Sequence, residues 1–233
     1  MESRFWVIVP AAGSARRMGA AVPKQYLSLA GRSVIEWSLA PFLAHQRTAG
    51  IVVVLAEQDA RWTQTGLAGN AKITTASGGA ERMDSVLAGL KALQGRATAE
   101  DWVLVHDAAR PCLTTTDVDK LLSELSDDPV GGLLAAPVVD TLKRADASGR
   151  VAQTVTREKL WRALTPQMFR RDVLQRALEA ALASGVAVTD EAQAVEALGL
   201  QPKLVAGCAD NIKITLPEDL LRAERILKSR SAA

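Results

Sequence analysis

Residues 5–19 read FWVIVPAAGSARRMG, and this stretch decides the fold class. Residues 5–9 are apolar at consecutive positions, which is typical of a parallel β-strand that is covered on both faces. A loop of small residues follows, and in an open parallel sheet ligands bind beyond the carboxyl ends of the strands. The stretch therefore predicts an α/β sheet whose first loop approaches a ligand.

The same strand pattern recurs along the chain. Short apolar runs predict further strands over 51–55, 72–75, 102–106 and 133–136. Apolar residues at helical spacing predict helices over 33–46, 81–93, 117–125, 170–183, 190–198 and 217–228. Alternating strands and helices predict a three-layer, Rossmann-like α/β fold with a mainly parallel sheet.

Residues 138–164 interrupt this rhythm. They predict two short strands around a polar Ala-Ser-Gly turn, which together form a β-hairpin arm inserted in a single domain of residues 1–233. A small hairpin cannot bury its apolar residues alone. We therefore expect the arm to pack against a second subunit, although packing on its own body is the alternative.

The bulk composition bounds the function classes. The 233 residues are 48% hydrophobic and carry a formal net charge of +2, which gives no field that favours nucleic acid. No apolar run approaches bilayer length, and the start does not resemble a signal peptide. We expect a cytoplasmic protein, without a membrane or nucleic-acid partner, whose Cys112 and Cys208 are small hydrophobic residues.

The first loop has the features of an anion site. Its small residues Ala11, Ala12 and Gly13 let a ligand approach backbone amides, and Arg17 and Lys24 follow. The sequence does not match a Walker A loop, since a methionine occupies the second glycine position, nor does it match GxGxxG. An ordinary strand-to-helix turn with surface arginines is the alternative.

Two later loops follow predicted strands at the same end of the sheet. Residues 78–85 pair two glycines with a helix start, and Ser85 offers a hydroxyl to a base or a ribose. In residues 105–111, Asp107 is placed to bind Mg²⁺ or to cap the next turn, while His106 is expected to be structural. In residues 209–214, Asp210 and Lys213 are a second metal carboxylate and a phosphate cation, or surface residues.

Eight of these strings together resemble one family. They are PAAGSARRM, PKQY, GGAERMDSV, HDAARP, DTLKR, LTPQ, TDEA and DNIK, and they occur in the family's order from residue 10 to residue 213. The chain is thereby identified as a member of the 2-C-methyl-D-erythritol 4-phosphate cytidylyltransferases of non-mevalonate isoprenoid biosynthesis. It departs from the family at Ala15, where the family usually has glycine.

The resemblance implies a nucleotidyltransferase that uses CTP and Mg²⁺, transfers CMP to methylerythritol phosphate, releases pyrophosphate and forms a homodimer with exchanged arms. It also implies residue roles. Arg17 and Lys24 stabilise the transition state, and Arg157 and Lys213 position the acceptor. The implied nucleotide contacts are Pro10, Ala11, Ala12, Gly13, Gly79, Ser85 and Ala108. The implied acceptor contacts are Thr141, Arg157, Thr165, Thr189 and Lys213, and the expected metal carboxylates are Asp107 and Asp210.

Three rival functions remain open from the residues alone. A sibling cytidylyltransferase for ribitol 5-phosphate or another polyol phosphate would share the nucleotide loops and differ at the acceptor contacts. A nucleotide-dependent oxidoreductase is disfavoured by the missing GxGxxG. A catalytically silent nucleotide-binding protein would not require Arg17, Lys24, Arg157 and Lys213 together.

Overall fold

The structure is a computed structural model that describes residues 4–13 and 22–231. The described residues form eleven strands and six α-helices. The strands are β1 Phe5–Pro10, β2 Ser28–Leu29, β3 Arg32–Ser33, β4 Thr48–Leu55, β5 Ile73–Ser77, β6 Trp102–Val105, β7 Gly131–Pro137, β8 Leu142–Ala145, β9 Val151–Val155, β10 Trp161–Arg170 and β11 Lys203–Ala206. The helices are α1 Val34–Ala44, α2 Arg82–Ala92, α3 Thr115–Leu125, α4 Arg171–Ser184, α5 Glu191–Ala197 and α6 Pro217–Ser231.

Seven strands form the central sheet, in the order β11-β7-β10-β6-β1-β4-β5. β1 pairs in parallel with β4 and β6, β4 with β5, and β7 with β11. Only β10, among the strands of this sheet in the described residues, runs antiparallel to its neighbours β6 and β7. The predicted mainly parallel α/β fold is therefore confirmed.

The sheet is covered on both faces because alternate residues of its strands enter different cores. In β1, Val7 and Val9 pack in one cluster with residues of α1 and α3. Ile8, which lies between them, packs in a second cluster with residues of α2, α4 and α5. Burial on both sides explains why these strands are apolar at consecutive positions instead of alternating.

A third cluster fixes the segment before α6. Ile212 and Ile214 are buried in it together with Ala223 and Leu227 of α6. Lys213, which lies between these two residues, does not join the cluster, because its ammonium group pairs with Asp107 at 2.9 Å and its side chain remains partly exposed. The apolar flanks therefore present the ammonium group of Lys213 at the carboxyl end of the sheet.

Strands β10 and β11 were not predicted. β10 contains Pro166, which has no N–H for a ladder hydrogen bond and usually argues against a central strand. The sheet accommodates it with an irregularity between Ala163 and Gln167 in the pairing with β7. β11 is a four-residue edge strand, which is too short to give a periodic signal.

Within the predicted arm range, β8 and β9 form a separate two-stranded antiparallel sheet. Residues 161–163 of that range belong instead to β10 and pair with β7. Val139 and Val151 are 73% and 65% exposed, so the arm leaves apolar surface uncovered by its own chain. No helix in the described ranges is long and apolar enough to cross a bilayer.

Candidate active site

Loops from three strand ends enclose a cavity of about 190 Å³, which we call the loop cavity. β1, β6 and the segment before α2 supply most of its walls, as expected for the carboxyl end of a parallel sheet. The residues that line it are Pro10, Ala11, Ala12, Gly13, Lys24, Gln25, Gly79, Ala80, Glu81, Arg82, Ser85, Asp107, Ala108, Ala109 and Lys213.

Hydrogen bonds fix the described part of the first loop. The amide of Ala11 donates to the carbonyl of Val54 at 2.8 Å, which continues the β1–β4 pairing by one residue. The side-chain amide of the buried Gln25 donates to the carbonyl of Ala11, also at 2.8 Å. The loop backbone is therefore held in place before any ligand arrives.

Glycine at position 78 allows the first loop to approach the start of α2. A Cβ atom at Gly78 would lie 2.7 Å from the Cβ of Ala12 and 2.7 Å from the Oγ of Ser85, closer than side chains tolerate. The absence of that atom brings Ala12 and Ser85 to the same wall of the loop cavity. Paired glycines thus serve close packing of two loops here.

A second, adjoining cavity of about 160 Å³ opens beside β10 and the start of α5. It shares Arg82, Asp107 and Lys213 with the loop cavity. Its other lining residues are Arg110, Ala163, Leu164, Thr165, Gln167, Thr189 and Asp190. We call the place where the three shared residues meet the junction.

Asp107 is the centre of an ion-pair cluster at the junction. Its Oδ1 accepts from Nε of Arg82 at 3.2 Å, and its Oδ2 accepts from Nζ of Lys213 at 2.9 Å and from Nε of Arg110 at 3.3 Å. Burial alone would raise the pKa of Asp107, but these three cations hold it well below its usual range. Asp107 is therefore ionised at neutral pH and orients three cations.

Arg82 is held from two sides. Its Nη1 and Nη2 donate to the two carboxylate oxygens of Glu191, the second at 3.1 Å, while its Nε donates to Asp107. The Glu191 side chain is 1% exposed, and that of Arg82 is 28% exposed. Burial opposes the charge of Arg82, but Glu191 and Asp107 raise its pKa above the ordinary value.

A buried network ties β6, β10 and the Lys213 segment together. Thr165 Oγ1 accepts from the amide of Asp107 at 3.1 Å and lies 2.9 Å from Nδ1 of His106. The side-chain amide of Asn211 donates to the carbonyl of Thr165 at 2.7 Å, and Nη1 of Arg110 donates to the carbonyl of Asn211 at 2.8 Å. These bonds fix the relative positions of three loops around the junction.

His106 has a structural role in this network. Burial lowers its pKa to about 4, so the imidazole is neutral near pH 7 and carries one N–H. Nε2 lies 3.3 Å from the carbonyl of Arg110, which can only accept, so the proton belongs on Nε2. Nδ1 then accepts from the hydroxyl of Thr165.

The segment before α5 is fixed by two side-chain amides. Gln167 donates from Nε2 to Asp190 Oδ2 at 2.9 Å and accepts from the amide of Ala192 at 2.7 Å. Thr189 donates its hydroxyl to Gln193 Oε1 at 3.0 Å, and Asp190 caps α5 by accepting from the amide of Gln193. Thr189, which lines the adjoining cavity, is thus held on a turn that these hydrogen bonds fix.

The fit of the site to Mg²⁺ rests on Asp107. A carboxylate has about four acceptor positions, and three are used by the cations, so one on Oδ1 remains. Mg²⁺ usually takes one or two carboxylates together with substrate phosphates and keeps several waters. Asp107 therefore fits as a single carboxylate ligand of an ion whose other ligands would be mostly triphosphate oxygens and water. In residues 4–13 and 22–231, no group of three or more potential metal-ligating side chains is present.

Comparison with known proteins assigns the chain to a family. The family profile described as IspD, 2-C-methyl-D-erythritol 4-phosphate cytidylyltransferase, matches residues 5–229. The chain belongs to this family. It is 59% identical to the 2-C-methyl-D-erythritol 4-phosphate cytidylyltransferase of Pseudomonas aeruginosa strain UCBPP-PA14 over 95% of both chains, and 57% identical to that of Pseudomonas putida strain KT2440 over 93% of this chain and 92% of the other.

Solved structures of the family agree with this assignment. The enzyme of Francisella tularensis is similar with a TM-score of 0.84 and 32% identity, over 96% of this chain and 100% of that one. The enzyme of Thermus thermophilus gives a TM-score of 0.80 and 32% identity over 97% and 99%. The family and the nucleotidyltransferase fold that the sequence predicts are therefore confirmed.

Most residues that the family resemblance singled out lie around the two cavities. They are Pro10, Ala11, Ala12, Gly13, Lys24, Gly79, Ser85, Asp107, Ala108, Thr165, Thr189 and Lys213. Arg17, and the departure from the family at Ala15, lie outside the described residues. The contacts of these residues with substrates stay predictions.

Three predicted residues lie elsewhere. Thr141 and Arg157 belong to the arm, where Arg157 donates to the carbonyl of Val139, and neither is among the described residues that line the two cavities. Asp210 is also absent from the described lining of both cavities, and its charge acts on the buried thiol of Cys112. The role of Asp210 as a second metal carboxylate stays a prediction.

Four side chains around the junction and the adjoining cavity were not predicted: Arg82, Arg110, Gln167 and Glu191. A signal existed for Arg82, because it is the first residue of α2, where a positive charge opposes the helix dipole. A cation in that place requires another reason. Glu191 was hidden because an acidic residue in the first turn of a helix is favourable anyway.

Proposed function

We propose that this chain transfers CMP from CTP to 2-C-methyl-D-erythritol 4-phosphate, which gives 4-diphosphocytidyl-2-C-methyl-D-erythritol and pyrophosphate in isoprenoid precursor biosynthesis. Membership of the cytidylyltransferase family supports the reaction class. The observation that carries the proposal is the shared junction, because two cavities that meet at Arg82, Asp107 and Lys213 allow two phosphorylated substrates to touch there.

The reaction joins two anions. A phosphate oxygen of the acceptor attacks the α-phosphorus of CTP in line, and the bond from that phosphorus to the β-phosphate oxygen breaks as pyrophosphate leaves. Alignment and charge neutralisation are the main tasks, because the acceptor phosphate is already ionised near neutral pH and needs no general base. Lys24 and Arg17 would stabilise the charge that develops on the α-phosphate, and Lys213 would hold the acceptor phosphate.

The loop cavity is proposed to bind CTP. Backbone groups of Ala11, Ala12 and Gly79, with Ser85, would read the cytosine edge, and fixed backbone polarity rejects uracil. Pro10 and Ala108 would contact the ribose, and Gly13 would allow the phosphates to approach. The adjoining cavity is proposed to bind the acceptor through Thr165 and Thr189.

A divalent cation, Mg²⁺ in the first instance, is proposed as the cofactor. Asp107, with Asp210 as the second carboxylate, would hold it beside the triphosphate of CTP. When bound, such an ion neutralises the triphosphate and assists departure of pyrophosphate. Because CTP is a cytoplasmic metabolite, the cytoplasm is the proposed compartment.

An acceptor panel with pyrophosphate detection tests the proposal. With CTP and Mg²⁺, the protein is expected to release pyrophosphate with methylerythritol phosphate and much more slowly with ribitol 5-phosphate. UTP in place of CTP is the matched donor control. Release only with ribitol 5-phosphate would move the assignment to the sibling activity, and release with neither acceptor would contradict both.

A homodimer with exchanged arms is the proposed assembly. Arg157 and Thr141 lie on the arm and are not among the described residues that line the two cavities of their own chain, and apolar arm residues such as Val139 are uncovered. We propose that the arm crosses to the partner subunit, where Arg157 positions the acceptor and Thr141 contacts it.

Subunit mixing tests this arrangement. Arg157→Ala and Lys24→Ala proteins are each expected to be nearly inactive, yet their mixture should regain about a quarter of wild-type activity after exchange, since half of the dimers are mixed and one of their two sites is intact. Exchange is verified with subunits that carry different affinity tags. Mixed dimers without activity would contradict cross-subunit sites.

A further inference from the structure

We propose that Arg82 is a further catalytic residue, which donates hydrogen bonds to phosphate oxygens where donor and acceptor meet, and that Glu191 is the positioning residue that holds its guanidinium there. The proposal rests on the proposed function, because it requires two phosphorylated substrates at the junction. It extends that function by a residue on α2, an element to which the sequence assigned no catalytic group.

The first observation that supports this role is the position of Arg82 between the two cavities. It is one of the three described residues that line both cavities, and the other two are Asp107 and Lys213. The two cavities therefore adjoin at these three side chains. If one substrate occupies each cavity, the phosphoryl group is transferred next to Arg82.

The hydrogen-bond inventory of Arg82 leaves donors for a substrate. A guanidinium has five N–H donors. Asp107 accepts from Nε, and the two oxygens of Glu191 accept from Nη1 and Nη2, so the contacts seen within the described chain use three of the five. One N–H on each terminal nitrogen remains, and the side chain is 28% exposed.

Glu191 fixes the orientation of the Arg82 guanidinium group. Its carboxylate is 1% exposed and binds both terminal nitrogens of Arg82, a fork geometry that fixes the guanidinium plane. Glu191 is the first residue of α5, next to the turn that carries Thr189 into the adjoining cavity. A planar, always charged donor set in this place suits phosphate better than an ammonium group would.

The alternative is that Arg82 only neutralises the buried Glu191. Three variants separate the two roles: Arg82→Gln, Glu191→Gln and the double variant. Arg82→Gln leaves Glu191 buried without its partner, which costs stability. The double variant removes both charges, so the melting temperature should recover, and Asp107 keeps its bonds to Lys213 and Arg110.

The variants are therefore expected to change kcat and the melting temperature in different ways. Arg82→Gln should lower kcat on the order of a hundredfold, and the double variant should stay as slow although its melting temperature returns towards that of the wild type. Glu191→Gln alone, which keeps the guanidinium but loosens it, should lower kcat less. The readouts are kcat, KM for each substrate, and thermal unfolding.

Arg176→Gln is the matched control, because Arg176 also pairs with a carboxylate, Asp172, but on the exposed face of α4. It should leave kcat unchanged. A double variant that regains turnover near the wild-type level would overturn the proposal and assign Arg82 a purely structural role. An inactive wild-type protein would instead contradict the proposed function, so the two failures are distinguishable.

Discussion

Replacing Lys24 with alanine is expected to lower kcat on the order of a hundredfold and to change the KM for CTP by only a modest factor. Lys24 lines the loop cavity, and its ammonium group donates to the carbonyl of Ile214 at 2.8 Å, next to Lys213. That bond places a positive charge beside the junction, where negative charge increases as the α-phosphorus is attacked. Steady-state kinetics of pyrophosphate release measure both quantities.

Lys72→Ala is the matched control for Lys24. Its ammonium group also donates to a backbone carbonyl, that of Leu43, but it is exposed and lies outside the described lining of both cavities. We expect wild-type kinetics. If Lys24→Ala weakened CTP binding strongly and left turnover intact, its role in the transition state would be wrong.

Replacing Asp107 with asparagine is expected to lower both stability and activity. The substitution keeps the shape but removes the charge that Arg82, Arg110 and Lys213 share. Loss of one partner from a buried ion pair typically costs about 3 kcal/mol or more in the free energy of unfolding. Because Arg82 and Lys213 would no longer be oriented by this carboxylate, kcat should fall by at least about a hundredfold. Denaturant unfolding and pyrophosphate release provide the two measurements.

Asp172→Asn is the control for this charge removal. Asp172 pairs with Arg176 at 2.9 Å on the exposed surface of α4, where an ion pair contributes less than about 1 kcal/mol. Activity should not change. An Asp107→Asn protein as stable as the Asp172→Asn protein would show that the junction cations do not depend on Asp107.

The fold could be predicted because the spacing of apolar residues within most of its strands and helices indicates the type of element. The consecutive apolar residues of β1 and β4 reflect burial on both sheet faces, and the helical spacing in α3 reflects a single buried face. β10 was missed for a physical reason, since Pro166 in the middle of a central strand contradicts the usual pattern and only the irregular pairing with β7 accommodates it.

Functional residues of the site could be predicted only where several of them lie close together in one loop of the sequence. The first loop and the segment around Asp107 could be placed at one end of the sheet because each follows a predicted strand of a parallel sheet. The bond between Arg82 and Glu191 joins residues 109 positions apart, and that between Gln167 and Asp190 joins β10 to the turn before α5. Such contacts depend on the packing of whole elements, which one sequence does not reveal.

The central claim is that a nucleoside triphosphate and an acceptor phosphate meet at one junction. A crystal structure with CTP carrying a methylene bridge between its α- and β-phosphates, with Mg²⁺ and methylerythritol phosphate, tests it most directly. We expect the α-phosphate beside Lys24 and the acceptor phosphate in contact with Lys213 and Arg82. Electron density for the two ligands in separate places, with these three side chains directed away from both, would contradict the account.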